Sequence, residues 1–351
     1  MFIALIIFFF LLLAFSVVDY IRVQAGFRTI LLICSCCVLV FFVTFRFNVP
    51  DYDNYVDMFW DVMFSFNTSA NSDIHGEFGY LFFNAFIKVL GGNPIILFAV
   101  VGSLSILFTA IFYRKYTRYF LIALLVYFSH IFLLREMIQI RSGLAITITM
   151  FAIPYVEQRK LFRFLSVILI AASFHMICLL FIIVYFLYPV LQNSRYQIMV
   201  LVAGLVLGVT FNLSVIEKIL TMCNAPPIVI GYLYDEQYNF SLGLLNPVLI
   251  KNLVVITVLI SQRKFFVQNI THFNVLLISY IIGTFWLSAF SSFAIFSARI
   301  ATMFSNVEHV LIPSLLLLNK YKLLIYVMII LYCVYSFFSK WPMLSTWSFN
   351  F

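Results

Sequence analysis

Long apolar runs recur along the whole chain, and they set the strongest limit on its fold. A run of about 17 to 20 apolar residues is long enough to cross a bilayer as a helix. Of the 351 residues, 64% are hydrophobic and 10% are charged, whereas a typical soluble chain carries about 25% charged residues. We therefore predict an all-α, polytopic integral membrane protein in which residues 1–351 form a single membrane domain.

The apolar runs predict about twelve transmembrane helices, of which one pair is short or re-entrant. No positively charged segment precedes the first run, so we interpret it as a span rather than a cleaved signal peptide. In Asn93-Pro94 and Asn246-Pro247, a capping side chain precedes a proline suited to the first helical turn. The approximate spans are 2–18, 29–45, 95–113, 119–134, 138–155, 163–174, 176–190, 197–212, 247–262, 272–290, 300–318 and 323–339.

Lysine and arginine concentrate in short loops, which the positive-inside rule places in the cytoplasm. These loops lie at about 22–28, 114–118, 159–163, 195, 263–264 and 320–322. The orientation puts both termini and two longer loops, about 46–94 and 213–246, on the outer face. Because the basic residues sit between spans, the net charge of +8 does not indicate a nucleic-acid partner.

The segment FRFLSVILIAASFHMICLLFIIVYFLYP, residues 162–189, is too long for one span and short for two. It lies between two loops that should both be cytoplasmic, so the chain must cross the membrane an even number of times. We predict a hairpin of two short helices, or a re-entrant loop, with its tip near residues 173–175. Either arrangement brings His175 to the outer side, as a proton acceptor or as a hydrogen-bonding residue between helices.

Four arginines are predicted to lie at the outer face. The stretch REMIQIRSGLA, residues 135–145, places Arg135, Glu136 and Arg141 where a membrane helix should begin. A guanidinium group at bilayer depth costs at least ~3 kcal/mol, so such residues are functional candidates. Arginine binds phosphate oxygens bidentately and stays charged, and with Arg46 and Arg299 these residues would suit a pyrophosphate. The alternative is that the side chains snorkel to lipid headgroups.

Arg135 and Arg141 point about 120° apart on a helical wheel, which predicts different roles for them. We expect Arg141 to lie closest to a bound pyrophosphate, because the small residues Ser142, Gly143 and Ala145 let a substrate or another helix approach. Arg135 is expected to orient Glu136 or an outer phosphate.

The stretch NVPDYDNYVDMFWDVMF, residues 48–64, predicts an amphipathic surface helix. Asp53, Asp57 and Asp61 recur on one face, and aromatic residues, Tyr55 among them, lie on another. Carboxylates accept hydroxyl protons and rings cover the apolar face of a sugar, so Asp51, Asp53 and Tyr55 are candidate sugar ligands. An interfacial helix with a solvated acidic side is an equal alternative.

Three further acidic features are candidates. Glu77 lies between glycines in HGEFGYLFFNAF, where the backbone is able to approach a neighbour closely. GYLYDEQYNF, residues 231–240, is a second aromatic and acidic cluster or an interfacial aromatic belt. Glu308 and His309 lie inside a predicted span; the acid needs a partner, such as an outer arginine, and the pair would serve as a proton relay or as a polar contact between helices.

No sequence signature of ATP, NAD or serine-hydrolase chemistry is present. Of the six cysteines only Cys223 falls in a predicted aqueous loop, and no C-x-x-C pair occurs. We therefore expect no disulfide, no metal site and no cofactor.

Several stretches, in chain order, resemble the EpsG-like family of polysaccharide polymerases, a Wzy-type group used for O-antigen and exopolysaccharide. They are FRFNVPDYDNY, GEFGYLFFNAFIKVLGGN, REMIQIRSGLAITITM, KLFRFLSVILIAASFHMICLLF and SARIATMF, and the resemblance covers most of residues 40–310. Asp51 or Asp53 carries the family aspartate. Ser142 replaces a common glutamine, and Met303 or Phe304 stands where a tyrosine is frequent; neither difference removes a charge.

The resemblance implies a helical inner-membrane enzyme whose active site lies at the periplasmic or outer face. The implied reaction joins undecaprenyl-pyrophosphate-linked oligosaccharide repeat units, and a lipid pyrophosphate leaves. It singles out Arg46, Arg141, His175 and Arg299. His175 is the first candidate base, followed by Glu77 and the aspartates at 51–53.

The expected partners are the lipid-linked oligosaccharide and membrane lipid, with a chain-length regulator and a flippase as candidate protein partners. The alternatives are a flippase for lipid-linked oligosaccharide and a related membrane glycosyltransferase or ligase.

Overall fold

The computed structural model describes residues 1–63, 74, 76–210, 217–218, 221–222 and 241–349. Within these ranges almost every element is a helix, which confirms the all-α class. Cys223 and the aromatic and acidic cluster at 231–240 lie outside the described residues.

The elements of the first part of the chain run from α1 to α12. They are α1 (Phe2–Tyr20), α2 (Ala25–Thr44), β1 (Arg46–Phe47), α3 (Tyr52–Asp61), α4 (Phe78–Val89), α5 (Pro94–Tyr116), α6 (Phe120–Tyr127), a π-helix (Phe128–Phe132), α7 (Leu133–Arg135), α8 (Ile140–Met150), α9 (Ile153–Glu157), α10 (Leu161–Phe174), a 3₁₀-helix (Met176–Phe181), α11 (Ile182–Leu187), a 3₁₀-helix (Val190–Gln192) and α12 (Ser194–Thr210).

Among the described residues from 241 to 349, the structure has seven α-helices, two 3₁₀-helices and a short strand. They are α13 (Pro247–Ser261), α14 (Arg263–Asn269), α15 (Phe273–Ala289), α16 (Ala294–Ser305), α17 (Glu308–Ser314), two 3₁₀-helices (Leu315–Leu317 and Asn319–Tyr321), α18 (Lys322–Phe338), α19 (Trp341–Leu344) and β2 (Ser348–Phe349).

Four described helical segments are long and apolar enough to cross a membrane: α1, α2, α5 and Asn319–Phe338. A fifth results if the broken pair Ala294–Ser305 and Glu308–Leu317 counts as one span. Other apolar helices have 10–17 residues. The predicted count of about twelve is therefore not confirmed, because breaks that hydropathy does not register divide several of the apolar runs into shorter helices.

Both predicted asparagine caps are confirmed. Asn93 accepts a hydrogen bond from the backbone N–H of Ile96 at 3.0 Å, and Asn246 accepts one from that of Val248 at 2.8 Å. In each helix a proline occupies the first turn, where its missing N–H costs nothing. The two helix starts therefore follow from local sequence.

The described chain divides into two compact units. The first comprises Met1–Ala152, Phe162–Leu179 and His309–Phe351, and the second comprises Ile153–Leu161 and Leu180–Glu308. In the first unit α5 packs against α2, α6 and α8; in the second, α15 packs against α12, α13 and α16. The clustered charges described below all belong to the first unit.

Candidate functional site

The site is centred on the start of α8, where the chain breaks its helix between Glu136 and Gln139. Arg141 is the second residue of α8, so its side chain leaves the helix beside this break. Arg135 and Glu136 precede the break and are buried. The predicted concentration of charge at a helix start is thus present in the folded chain.

Glu77 links Arg141 to His175. Its Oε2 accepts a hydrogen bond from Nη1 of Arg141 at 2.9 Å, and its Oε1 lies 2.8 Å from Nδ1 of His175. The backbone N–H of Met176 also donates to Oε1, at 3.2 Å. The three side chains are 17–21% exposed, so a ligand is able to reach them. We call Glu77, Arg141 and His175 the outer trio.

Local sequence explains how these three chain segments meet. α10 ends at Phe174, the predicted hairpin tip, and His175 follows directly. Gly79, in the first turn of α4, lies against Ser173: a Cβ atom there would be 2.3 Å from the Ser173 Oγ. Only glycine permits this approach, which brings Glu77 at the start of α4 to His175. The predicted role of the glycines around Glu77 is confirmed at this position.

Two opposing effects set the pKa of Glu77. Burial alone would raise it, but the His175 hydrogen bond and the Arg141 charge lower the pKa to about 2. The carboxylate is therefore ionised at neutral pH and is a weak base. If Nδ1 of His175 carries the proton toward Glu77, the neutral ring presents Nε2 as a hydrogen-bond acceptor. This geometry favours His175 over Glu77 as the candidate base.

Arg46 is almost completely buried, at 1% exposure, and its guanidinium group has few hydrogen-bond partners among the described residues. Its guanidinium carbon stacks 4.1 Å from the centroid of the Phe98 ring. Nη1 makes long hydrogen bonds of 3.4 and 3.3 Å to the carbonyl oxygens of Val43 and Glu136. Nε and Nη2 have no hydrogen-bond partner among the described residues. Burial lowers the pKa of Arg46 to about 10, against the raising effect of nearby acidic groups, so it stays charged at neutral pH.

The ring of Tyr55 connects Arg46 to the outer trio. Its centroid lies 6.0 Å from the guanidinium carbon of Arg46 and 5.8 Å from that of Arg141. Tyr80, which the sequence analysis did not select, packs 5.7 Å from Arg141. Tyr80 lies in the first turn of α4, three residues after its N-cap Glu77, and this helical spacing could have predicted its position beside the site. Nε of Arg141 also lacks a hydrogen-bond partner within the described part of the chain.

The carboxyl group of Glu136 is held by side chains of α5 and α6. Its Oε1 accepts hydrogen bonds from Ser105 Oγ and Tyr127 OH, both at 2.9 Å. Gly143 leaves the room for it, since a Cβ there would lie 2.6 Å from Oε2 of Glu136. Gly143 thus accommodates a neighbouring carboxylate at the end of α7, and the approach of a substrate to the small residues of α8 stays a prediction.

The side chain of Arg135, which we expect to orient Glu136 or an outer phosphate, is hydrogen-bonded at the start of α8, and its role toward Glu136 stays a prediction. Nη1 of Arg135 donates to Oγ of Ser142 at 2.8 Å and to Oε1 of Gln139. It therefore ties α7 to the first turn of α8. Its predicted contact with an outer phosphate stays a prediction.

The cluster carries an excess of positive charge. Among the described residues, three guanidinium groups, those of Arg46, Arg135 and Arg141, lie near two carboxyl groups, those of Glu77 and Glu136. This excess of positive charge favours an anionic ligand, and so do the N–H groups of Arg46 and Arg141 that have no hydrogen-bond partner in the described part of the chain. The arrangement is suited to bind phosphate oxygens beside a histidine.

The predicted sugar ligands are divided between the interior and the surface. On α3, Tyr55 is buried beside the arginines, whereas Asp51, Asp53 and Asp57 are exposed, in agreement with the predicted amphipathic helix. The structure places neither Asp51 nor Asp53 in hydrogen-bond contact with the trio, so their sugar-binding role stays a prediction.

Arg299 and Glu308 lie in the second unit. Arg299 is exposed on α16, and its membership of the anion site stays a prediction. Glu308 pairs with Nζ of Lys251 at 2.5 Å, so the buried acid has the charged partner that was expected, and this partner is a lysine. The helix breaks at residues 306–307, and spacing along one straight helix therefore does not apply to this segment. His309, in the first unit, packs against the rings of Tyr113 and Tyr127.

A sequence model described as the EpsG family matches residues 29–351, nearly the whole chain. No curated protein and no solved structure matches the chain.

Proposed function

Since the chain belongs to the EpsG family, we propose that it is a membrane glycosyltransferase of the Wzy type. It joins oligosaccharide repeat units carried on undecaprenyl pyrophosphate, to make O-antigen or exopolysaccharide. The family membership suggests a polysaccharide polymerase-like function in the membrane, and the specific reaction is our inference from the site. The observation that carries it is the outer trio, in which one carboxylate orients both an arginine and a histidine.

The acceptor sugar hydroxyl is placed against Nε2 of His175. His175 takes the hydroxyl proton while the hydroxyl oxygen bonds to the anomeric carbon of the donor chain. The bond from that carbon to the pyrophosphate oxygen breaks, and its electron pair leaves with the lipid pyrophosphate. Glu77 holds the imidazole in place and stabilises its protonated form.

Arginines supply the positive charge that the departing pyrophosphate needs. Arg141 is 20% exposed and its Nε has no hydrogen-bond partner among the residues that the structure describes, so its planar fork binds the nearer phosphate. Arg46, behind Tyr55, adds a buried positive charge and two further N–H groups. Because these groups stabilise charge on the leaving group, the step as proposed needs no metal ion.

We assign this chemistry to the outer, periplasmic face of the bacterial inner membrane, and the concentration of lysine and arginine in the short loops supports this orientation. There the enzyme would receive repeat units from a flippase, and a chain-length regulator would act on the product. Both protein partners are part of the proposal.

A polymerisation assay with His175 variants tests the reaction. His175→Asn keeps an amide near the position of Nδ1 but has no base at the position of Nε2. In lipid nanodiscs with a lipid-linked repeat unit, it should bind donor and lose at least ~100-fold in chain growth. His272→Asn is the matched control, because His272 lies in the second unit at a positive φ that asparagine tolerates. Chain growth by His175→Asn close to that of the unmodified protein would refute the assigned base.

A cellular assay separates the polymerase from the alternative flippase. Cells that lack this protein should display single repeat units on their outer glycan. Total loss of outer glycan would overturn the proposal in favour of transport.

A further inference from the structure

Arg46 lies on a short connection between α2 and α3 whose own residues do not hold it firmly. α2 ends at Thr44, and Asn48 and Asp51 both adopt positive φ angles, of 52° and 63°. Non-glycine residues adopt this conformation only where the surroundings stabilise it. Within the described ranges the side chain of Arg46 makes only long hydrogen bonds, so it does not fix the backbone either.

The connection is held by β2, a strand 300 residues further along the chain. β1 and β2 pair antiparallel, with Arg46 opposite Phe349 and Phe47 opposite Ser348. Nδ2 of Asn48 also donates to Oγ of Ser348 at 3.1 Å. The only described sheet pairing of the chain therefore includes the residue that carries the buried cation.

Aromatic packing keeps β2 in place. The ring of Phe349 stacks on Phe42 at 6.1 Å and meets Phe41 edge-on at 5.4 Å, both on α2. Trp347, just before the strand, is buried. A pair of two-residue strands is not stable alone, so this packing and the strand pairing depend on each other.

We propose that Ser348 and Phe349 are positioning residues for the anion site. Their strand fixes the backbone at Arg46, so the guanidinium group stays stacked on Phe98 with Nε and Nη2 directed to a phosphate oxygen of the lipid-linked donor. This rests on the proposed function, because it assigns Arg46 to donor binding. The segment 347–349 thereby becomes part of the active site although it carries no charge.

The first experiment tests the pairing without any activity measurement. Asn48→Cys and Ser348→Cys are combined in a background without the native cysteines. Their side chains are in hydrogen-bond contact in the native protein, so mild oxidation of the folded protein should form a disulfide. Each single-cysteine variant is the control. Failure of the pair to cross-link overturns the inference and leaves the proposed reaction untouched.

The second experiment tests the effect on donor binding. Ser348→Pro fixes φ within β2 and puts a proline ring in the strand, which disfavours pairing with β1, whereas Ser348→Ala keeps the strand backbone and removes only the Oγ contact to Asn48. Both Ser348→Pro and Arg46→Ala should raise the KM for donor on the order of tenfold or more, while Ser348→Ala should stay within about threefold of the unmodified protein. The double variant Ser348→Pro with Arg46→Ala should be no worse than Arg46→Ala alone, because both changes remove one interaction.

The outcomes separate the inference from the proposed function. If the cross-link forms and Arg46→Ala is harmless, the anion role of Arg46 fails, and the inference fails with it. If Arg46→Ala is impaired and Ser348→Pro is not, only the inference fails. A merely structural role would multiply the two losses in the double variant and lower its unfolding temperature without a selective change in KM, and this result also overturns the inference.

Discussion

Replacing Glu77 by glutamine changes one charge at the centre of the outer trio while keeping the size of the side chain. Glutamine still has an oxygen to accept a hydrogen bond from His175, but it does not balance the positive charge of Arg141. We expect Arg141 to lose its fixed orientation and the imidazole to lose the charge that stabilises its protonated form. Chain growth should fall by about 10² to 10⁴-fold, as in other sites where a carboxylate orients a catalytic histidine.

The pKa of Glu77 indicates how strongly the folded protein favours the charged form. The pKa is lowered to about 2. At about 1.4 kcal/mol per pKa unit, the folded protein therefore stabilises the ionised carboxylate over the protonated form by roughly 3 kcal/mol. Because the folded-state pKa is depressed, this contribution is present above the ordinary pKa of a glutamate and is lost as the pH falls toward about 2. Glu77→Gln should remove this part of the acid sensitivity.

Two measurements check the prediction in purified protein. Single-turnover chain growth with a lipid-linked donor gives the rate, and thermal unfolding between about pH 5 and 2 gives the stability profile. Asp57→Asn is the matched control, since Asp57 is exposed on α3 and should retain both properties. Chain growth within about threefold of the unmodified protein, together with an unchanged acid profile, would refute the role of Glu77 in orienting Arg141 and His175.

Three further predictions concern single residues around the site. Arg141→Lys should lose most polymer at unchanged protein level, because an ammonium group keeps the charge and loses the planar fork; near-normal polymer would reduce Arg141 to a simple positive charge. Phe174→Cys, in a background without native cysteines, should react with an impermeant thiol reagent on intact cells, and labelling only after membrane disruption would contradict an outward hairpin tip. Gly143→Ala should lower the free energy of unfolding by about 1–3 kcal/mol, because its Cβ would lie 2.6 Å from Oε2 of Glu136; an unchanged unfolding temperature would show that the carboxylate moves aside.

Local features of the fold followed from the sequence where short-range chemistry determines them. The asparagine caps at 93 and 246 and the division of α3 into a buried and an acidic face depend on residues within one or two helical turns. The number of spans did not follow in the same way. A window of apolar residues has the same hydropathy whether the helix continues or breaks, so the π-helix at Phe128–Phe132 and the break at residues 306–307 were invisible.

The candidate site was predicted as a set of residues and not as a set of contacts. Arginine, glutamate and histidine stood out because charge is costly in an apolar chain. Their pairing was hidden, since Glu77 and His175 are 98 residues apart and meet only through the close approach of Gly79 to Ser173. The strand β2 could not be predicted from charge either, because its residues are uncharged and its partner strand is only two residues long.

The helix break before α8 explains why charged residues six positions apart take different partners. In a straight helix, Arg135 and Arg141 would project about 120° apart and could not hold one anion together. The break adds a second difference, because Arg135 ends one helix and is bound to Gln139 and Ser142, while Arg141 begins the next and faces Glu77. Arg135 thereby holds the two helix ends together, and Arg141 remains the only arginine of this stretch with a partly exposed guanidinium group beside His175. The different partners of Arg135 and Arg141 therefore follow from the break itself, which the helical angle alone did not reveal, and their roles toward a pyrophosphate stay predictions.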